Sequence, residues 1–162
     1  MSNLRIGNGF DAHPFALGRD LILGGEKIDF PRGLLGHSDA DVLIHAIIDS
    51  ICGACGLMDI GSLFPDDDEK YSGIESTKLL EKIYEMITER RIRIMNIDSV
   101  IICNEPKISS YSQKMKKNIS KSVGNLELDR IGIKGKTTEG MGFTGRGEGI
   151  AVYSVCLIES PL

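Results

Sequence analysis

The chain has 162 residues, 41% of them apolar and 26% charged, with 19 basic against 23 acidic side chains and a formal net charge of −4. That size and balance suit one domain, residues 1–162, with a real core; scattered basic residues and the absence of Trp argue against a nucleic-acid surface, and no run approaches the ~18 apolar residues of a membrane span. The N-terminus lacks the charged start and apolar run of a signal peptide, and the four cysteines sit in apolar contexts as reduced packing residues, so a cytoplasmic location, or an organelle stroma after loss of a transit peptide, is expected.

In chain order, Leu4 to Phe10 alternates as a first strand. Asp11 and His13 follow on one face of it and emerge where the strand ends, ahead of Pro14, which has no N–H to donate. Asp20 to Phe30 reads as a hairpin turning at Gly24-Gly25. "SDADVLIHAIIDSICGACGLMD" reads as a buried helix with Ser38 as N-cap, Asp41 in the capping-box position and Gly56 as the stop. "GSLFPDDDEKYSG" is an acidic loop. An amphipathic helix follows with Leu79, Leu80, Ile83, Met86 and Ile87 on one stripe, ended by the cations of "ERRIR". Then come a strand from Ile92 to Cys103, a second amphipathic helix ending at Gly124, and the strands "RIGIKGKT" and "GIAVYSVCLIE" joined by a Gly-rich turn. This order predicts one α/β (α+β) domain: a mixed four-stranded sheet with helices on one face, plus the small hairpin.

The chemistry-bearing residues cluster. Asp11 beside His13 is either a hydrogen-bonded surface pair or two-thirds of a metal site. Asp41, His45 and Asp49 are spaced i, i+4, i+8 on the buried helix and share a face. They are either the wet side of that helix or a functional stripe, and the crowded apolar residues around them leave little width for water. Asp11, His13 and His45 together make an Asp-His-His set, the three protein ligands of a catalytic zinc site that keeps one position open. Other motifs have plainer readings. "CGAC", Cys52 to Cys55, lies late in its helix, away from the N-terminus that would stabilise a thiolate, and reads as packing. "GMGFTGRGEG" contains G-x-G-x-x-G but runs into a strand, which rules out a dinucleotide fingerprint; Arg146 and Glu148 within it form a subunit contact or a surface ion pair. "PDDDE" is no EF-hand, because the sixth position from Asp66 is Tyr71 and not Gly. "KTTEG", Lys136 to Gly140, offers two hydroxyls, a cation and a carboxylate, a set suited to phosphate and a divalent ion.

Taken together, "RIGNGFDAHPF", "LLGHSDADVLIHAIIDSICGA", "DIGSLFPDDD", "NEPKI" and "KTTEGMGFTGRGEGIA" resemble the 2-C-methyl-D-erythritol 2,4-cyclodiphosphate synthase family over nearly the whole chain. The resemblance implies a homotrimer with active sites between subunits and sheets lining a central channel. It implies a phosphorus-oxygen lyase of the non-mevalonate isoprenoid pathway that converts 4-diphosphocytidyl-2-C-methyl-D-erythritol 2-phosphate to the cyclic diphosphate and CMP. By the same resemblance Asp11, His13 and His45 bind one Zn²⁺ per subunit and face the substrate. Glu139 holds a second divalent ion, Mg²⁺ or Mn²⁺. His37 and Thr137 orient the diphosphate and stabilise the transition state, with Ser38 and Thr138 beside them. Asp59, Gly61 and the stretch from Phe64 through Asp66 to Asp68 bind sugar hydroxyls. Cys103 to Ser109, with Pro106 and Lys107, forms the cytidine pocket, and Phe143 and Arg146 reach the nucleotide and phosphates.

The chain departs from the family pattern at Asn8, where many members have His, at Lys136, where Thr is common, and at Gly140, where some relatives have Lys. None is a proposed metal ligand. Asp49 is assigned to the site wall. The chain is too short for the cytidylyltransferase domain fused in some relatives. Two other readings use the same residues: a zinc phosphohydrolase that releases inorganic phosphate, and a trimeric binding module whose metal is structural.

Overall fold

The computed structural model describes residues 3–65, 71 and 73–161. Its main sheet has five strands in the order β4-β1-β7-β5-β6. They are β1 (Asn3–Ala16), β4 (Gly33–Leu34), β5 (Arg93–Ile102), β6 (Ile131–Lys136) and β7 (Gly149–Ser160); β2 (Leu21–Leu23) and β3 (Glu26–Ile28) form a separate hairpin. Neighbours are antiparallel except β5 and β6, which run parallel. A parallel pair needs a crossover, and α4 (Ser112–Ser122) supplies it. The remaining helices are α1 (Val42–Cys55), α2 (Ile60–Leu63), α3 (Ser76–Glu89) and α5 (Gly142–Gly145).

The sheet is thus mixed, as expected, but has five strands and not four. The extra strand, β4, is two residues long, too short to leave a periodic trace. The first strand also runs further than its alternation implied and carries Asp11, His13 and Pro14 inside it. Pro14 is tolerated for a geometric reason. Its carbonyl accepts from Leu35 N at 3.0 Å, so its nitrogen faces the β4 side, where pairing covers only Phe15 and Ala16. No bond to β7 is lost.

The buried helix begins three residues later than Ser38 would set it. Asp41 is the N-cap, and its Oδ1 accepts from Ile44 N at 3.1 Å. The same carboxylate accepts from Gly24 N at 2.9 Å and Gly25 N at 2.7 Å, pinning the hairpin turn to the start of α1. Gly24 and Gly25 have positive φ, 59° and 67°, as a primed hairpin turn requires. Gly56, left-handed, ends the helix as expected.

Two glycines fix how α1 lies on the sheet. In β1 the residues facing α1 are Gly7 and Gly9, both buried. A Cβ on Gly7 would sit 2.1 Å from Ser50 O, and one on Gly9 would sit 2.0 Å from Ala46 O. Backbone therefore rests on backbone, with Ala46 and Ser50 one turn apart on the contacting face. The apolar stripe of α3, with Leu79, Leu80, Ile83 and Ile87 buried, and Met115 and Ile119 of α4 complete the core.

Gly9→Ala should lower folding stability by about 3 kcal/mol or more, because overpacking against backbone cannot be relieved by a rotamer change. Urea unfolding measures this; a loss below about 1 kcal/mol would show that strand and helix are not held at this distance.

Candidate metal centre and active site

Asp11 and His13 continue the face of β1 that Gly7 and Gly9 press onto α1, and His45 lies four residues before Asp49 on that helix. One ligand atom from each of Asp11, His13 and His45 lies within 4.8 Å of the others. Asp11 Oδ2 is 3.0 Å from His13 Nε2 and 3.1 Å from His45 Nδ1. All three side chains are half-buried, and they line a cavity of about 240 Å³.

The outer nitrogens are held. His13 Nδ1 is 2.7 Å from Leu35 O, and a carbonyl only accepts, so this nitrogen carries the proton. The inner Nε2 of neutral His13 is then a lone pair aimed at a carboxylate oxygen. Two electron pairs facing each other at 3.0 Å are stable only with a cation between or beside them, a metal ion or an added proton. The donor set therefore fits a metal with one carboxylate and two imidazole ligands. Electrostatics agree. Burial pushes the Asp11 carboxyl up, but His13 and His45 together hold it well below the usual carboxylate range. Asp11 in turn raises the His13 imidazole.

His37 and Ser38 also line the cavity, with Gly61 and Phe64. His37 is exposed at its mouth, in a loop gripped from behind: Arg19 donates to Gly36 O at 2.8 Å and to Ser38 O at 2.6 Å, bracketing His37. Asp49 is in the wall, and its Oδ1 accepts from Ile60 N at 2.8 Å, fixing the start of α2. Burial raises the Asp49 carboxyl. Of the stripe Asp41, His45 and Asp49, only the last two face the cavity; Asp41 turns to the hairpin. Asp59 is the exposed N-cap of α2, accepting from Ser62 N at 2.8 Å. It shares a shallow depression with Asn8 and Asp49. Asp66 and Asp68 lie outside the described residues.

Pro106, Lys107 and Thr137 line a second cavity of about 200 Å³, together with Cys103, Ser109 and Lys136. It shares no residue with the first. Thr137 Oγ1 donates to Glu139 Oε1 at 2.6 Å. Thr138 Oγ1 donates to Met141 O at 2.5 Å. Phe143 and Arg146 are exposed, and Arg146 Nε pairs with Glu148 at 2.6 Å. These four residues, Thr138, Glu139, Phe143 and Arg146, line neither cavity.

Three contributors escaped the sequence reading: Arg19, Asp39 and Ser76. Ser76 Oγ is 2.9 Å from His45 Nε2 and bonds Asp39. Arg19 grips carbonyls, which carry no sequence signal, and Ser76 meets His45 only across the fold.

The chain matches the model of the YgbB family over residues 4–159. It belongs to that family. It is 55% identical to the 2-C-methyl-D-erythritol 2,4-cyclodiphosphate synthase of Clostridium acetobutylicum, over 96% of this chain and 99% of that one. Among solved structures, IspF of Plasmodium falciparum in a CDP complex is 35% identical with a TM-score of 0.86, over 99% of this chain and 98% of that one. The bifunctional IspDF from Campylobacter jejuni is 40% identical with a TM-score of 0.94; the match covers 99% of this chain but 43% of that longer one. Family membership agrees with the resemblance read from the motifs. Among the described residues, no helix is long and apolar enough to cross a membrane.

The packing role of the cysteines is testable. All four are buried, and burial pushes Cys52 and Cys156 up to about 12 and Cys103 to about 11. Iodoacetamide at about pH 8 should label all four in urea and leave them essentially unlabelled in the folded chain, since the thiolate is the nucleophile. Rapid labelling of Cys52 or Cys55 in the native protein would restore a redox reading of "CGAC".

Proposed function

We propose that the protein is a zinc-dependent 2-C-methyl-D-erythritol 2,4-cyclodiphosphate synthase that works as a homotrimer. The observation that carries this reading is the convergence of Asp11 Oδ2, His13 Nε2 and His45 Nδ1 in one cavity, in a chain more than half identical to a synthase of that name. In the reaction, an oxygen of the substrate's 2-phosphate forms a bond to the β-phosphorus. The bond from that phosphorus to the α-phosphate bridging oxygen breaks, and CMP departs with it. No nucleophile from the chain is required, so positioning and charge neutralisation carry the catalysis.

Asp11, His13 and His45 would hold Zn²⁺, which when bound supplies Lewis-acid stabilisation of a phosphoryl oxygen. His37, held rigid by Arg19, presents an imidazole to the diphosphate at the cavity mouth. Ser38 and Asp49 support the same wall. Glu139 is the proposed ligand of a second divalent ion, Mg²⁺ or Mn²⁺, and Thr137 reaches the diphosphate; their mutual hydrogen bond holds the two together. Pro106 and Lys107 are proposed to take the cytidine end, in the manner of a CDP site, with Phe143 and Arg146 closing on nucleotide and phosphates. Asp59, Gly61, Phe64, Asp66 and Asp68 are proposed for the sugar hydroxyls. Thr138 stands beside Thr137.

Two observations support the trimer. The metal-centre cavity and the Lys107–Thr137 cavity are separate in one chain, so a substrate spanning both functions needs a neighbour to bring them together. The sheet face opposite α1 leaves large apolar side chains uncovered on either side of Asn8: Leu4 is 60% exposed, Ile6 71%, Phe10 48% and Tyr153 53%. Large apolar side chains exposed together on one face mark an interface, and this face is proposed to line the trimer's central channel. A cytoplasmic setting is proposed with it.

Incubating the pure protein with the diphosphocytidyl substrate, Zn²⁺ and Mg²⁺ should release CMP and the cyclic diphosphate. His13→Ala should abolish CMP release while sedimentation still reports a trimer. Release of inorganic phosphate in place of CMP would assign the site to a phosphohydrolase.

A further inference from the structure

We infer that Ser76 and Asp39 set the tautomer of His45 and thereby decide which of its nitrogens is offered to the metal. The inference rests on the reading of Asp11, His13 and His45 as a metal centre, and it assigns positioning roles to residues outside the ligand set.

Ser76 is fully buried at the first turn of α3. Its Oγ donates to Asp39 Oδ1 at 2.5 Å, while its backbone N donates to Asp39 Oδ2 at 3.0 Å. A hydroxyl has one proton. Given to a carboxylate, it is not available to an imidazole, since the charged acceptor makes the stronger bond. The Ser76 oxygen, 2.9 Å from His45 Nε2, can therefore only accept there. Ser38 Oγ, which accepts from Ala40 N at 3.1 Å, keeps a proton of its own, but at 3.3 Å from the same nitrogen it is the longer and weaker contact. His45 thus carries its proton on Nε2, and Nδ1 keeps its lone pair.

This works against the neighbouring charge. His45 Nδ1 lies 3.1 Å from Asp11 Oδ2, and without a partner on the far side the imidazole would place its proton on Nδ1 and donate it to Asp11. That tautomer cannot ligate through Nδ1. The chain Asp39–Ser76–His45 prevents it, as hydrogen bonds to the outer nitrogen of metal-bound histidines generally do. His13 solves the same problem with the Leu35 carbonyl; at His45 a side-chain pair takes that place.

The carboxylate has a second duty that a test must separate. Glu75, the N-cap of α3, makes no side-chain cap bond, so Asp39 caps that helix through Ser76 N. Ser76→Ala removes the hydroxyl and leaves this cap in place. Long-range ¹⁵N NMR on metal-free protein at alkaline pH should report His45 protonated on Nε2 in the wild type. In Ser76→Ala the proton should move toward Nδ1. Zn²⁺ affinity by chelator competition should fall about 10–100-fold in Ser76→Ala and return to within about threefold of wild type in Ser76→Thr, which restores the hydroxyl. A Ser76→Ala protein that keeps the Nε2 proton, whether or not its melting temperature falls, would overturn the inference and leave Ser76 a packing residue. Should the wild type bind no Zn²⁺ while the tautomer shifts as described, the metal reading fails and the relay stands.

Discussion

The closeness of β1 to α1 is the constraint from which the site follows. With no side chain at Gly7 or Gly9, the strand lies directly on the helix carbonyls of Ser50 and Ala46. Strand side chains alternate with period two and helix side chains with period 3.6, so this contact also sets the register between the two elements. The next positions on the same strand face are Asp11 and His13, and the helix residue before Ala46 is His45. Pushing strand and helix apart by the width of a methyl group would separate Asp11 from His45 by more than a coordination bond tolerates. The ligand set is therefore as much a consequence of two glycines as of an aspartate and two histidines.

Around that contact the fold spends its polar groups on orientation. Leu35 O, Ser76 and Asp39 hold the outer sides of the two imidazoles. Arg19 brackets His37 through carbonyls on both sides. Asp49 reaches from α1 to the first amide of α2. Asp41 accepts from three backbone amides and ties the hairpin to the helix that carries His45. Burial and the nearby Asp39 push its carboxyl up while those amides pull it down. A centre that must neutralise phosphate charge gains most from groups already in position, because no reorganisation is then needed during reaction. Ion pairs such as Arg146–Glu148, with both partners more than half exposed, contribute little by comparison.

Long periodic elements were legible from the residues alone: α3, α4, the β2–β3 hairpin, and strands β5, β6 and β7 fall where apolar spacing and turn residues put them. So did the Asp-His-His set, since three polar residues beside apolar runs need a purpose. What escaped was set by tertiary contact. β4 has too few residues to show a period. Pro14 sits inside a strand because its neighbour on one side happens to end there. Ser38 has the chemistry of an N-cap, but Asp41 takes the position because the hairpin turn supplies two further amides for its carboxylate. Ser76 reads as an ordinary helix start, and only the fold reveals that it stands behind a ligand 31 residues earlier. The roles proposed for Thr137, Glu139, Lys107 and Arg146 come from the family motifs and not from geometry, because in a single chain none of them lines the cavity of Asp11, His13 and His45.

On this reading three protein ligands hold one metal and leave a coordination position for the substrate. Crystals grown with Zn²⁺ and measured at the zinc absorption edge test it most directly. One anomalous peak per chain is expected, within bonding distance of Asp11 Oδ2, His13 Nε2 and His45 Nδ1 and of no other side chain. A peak elsewhere, or a fourth protein ligand closing the coordination sphere, would contradict it.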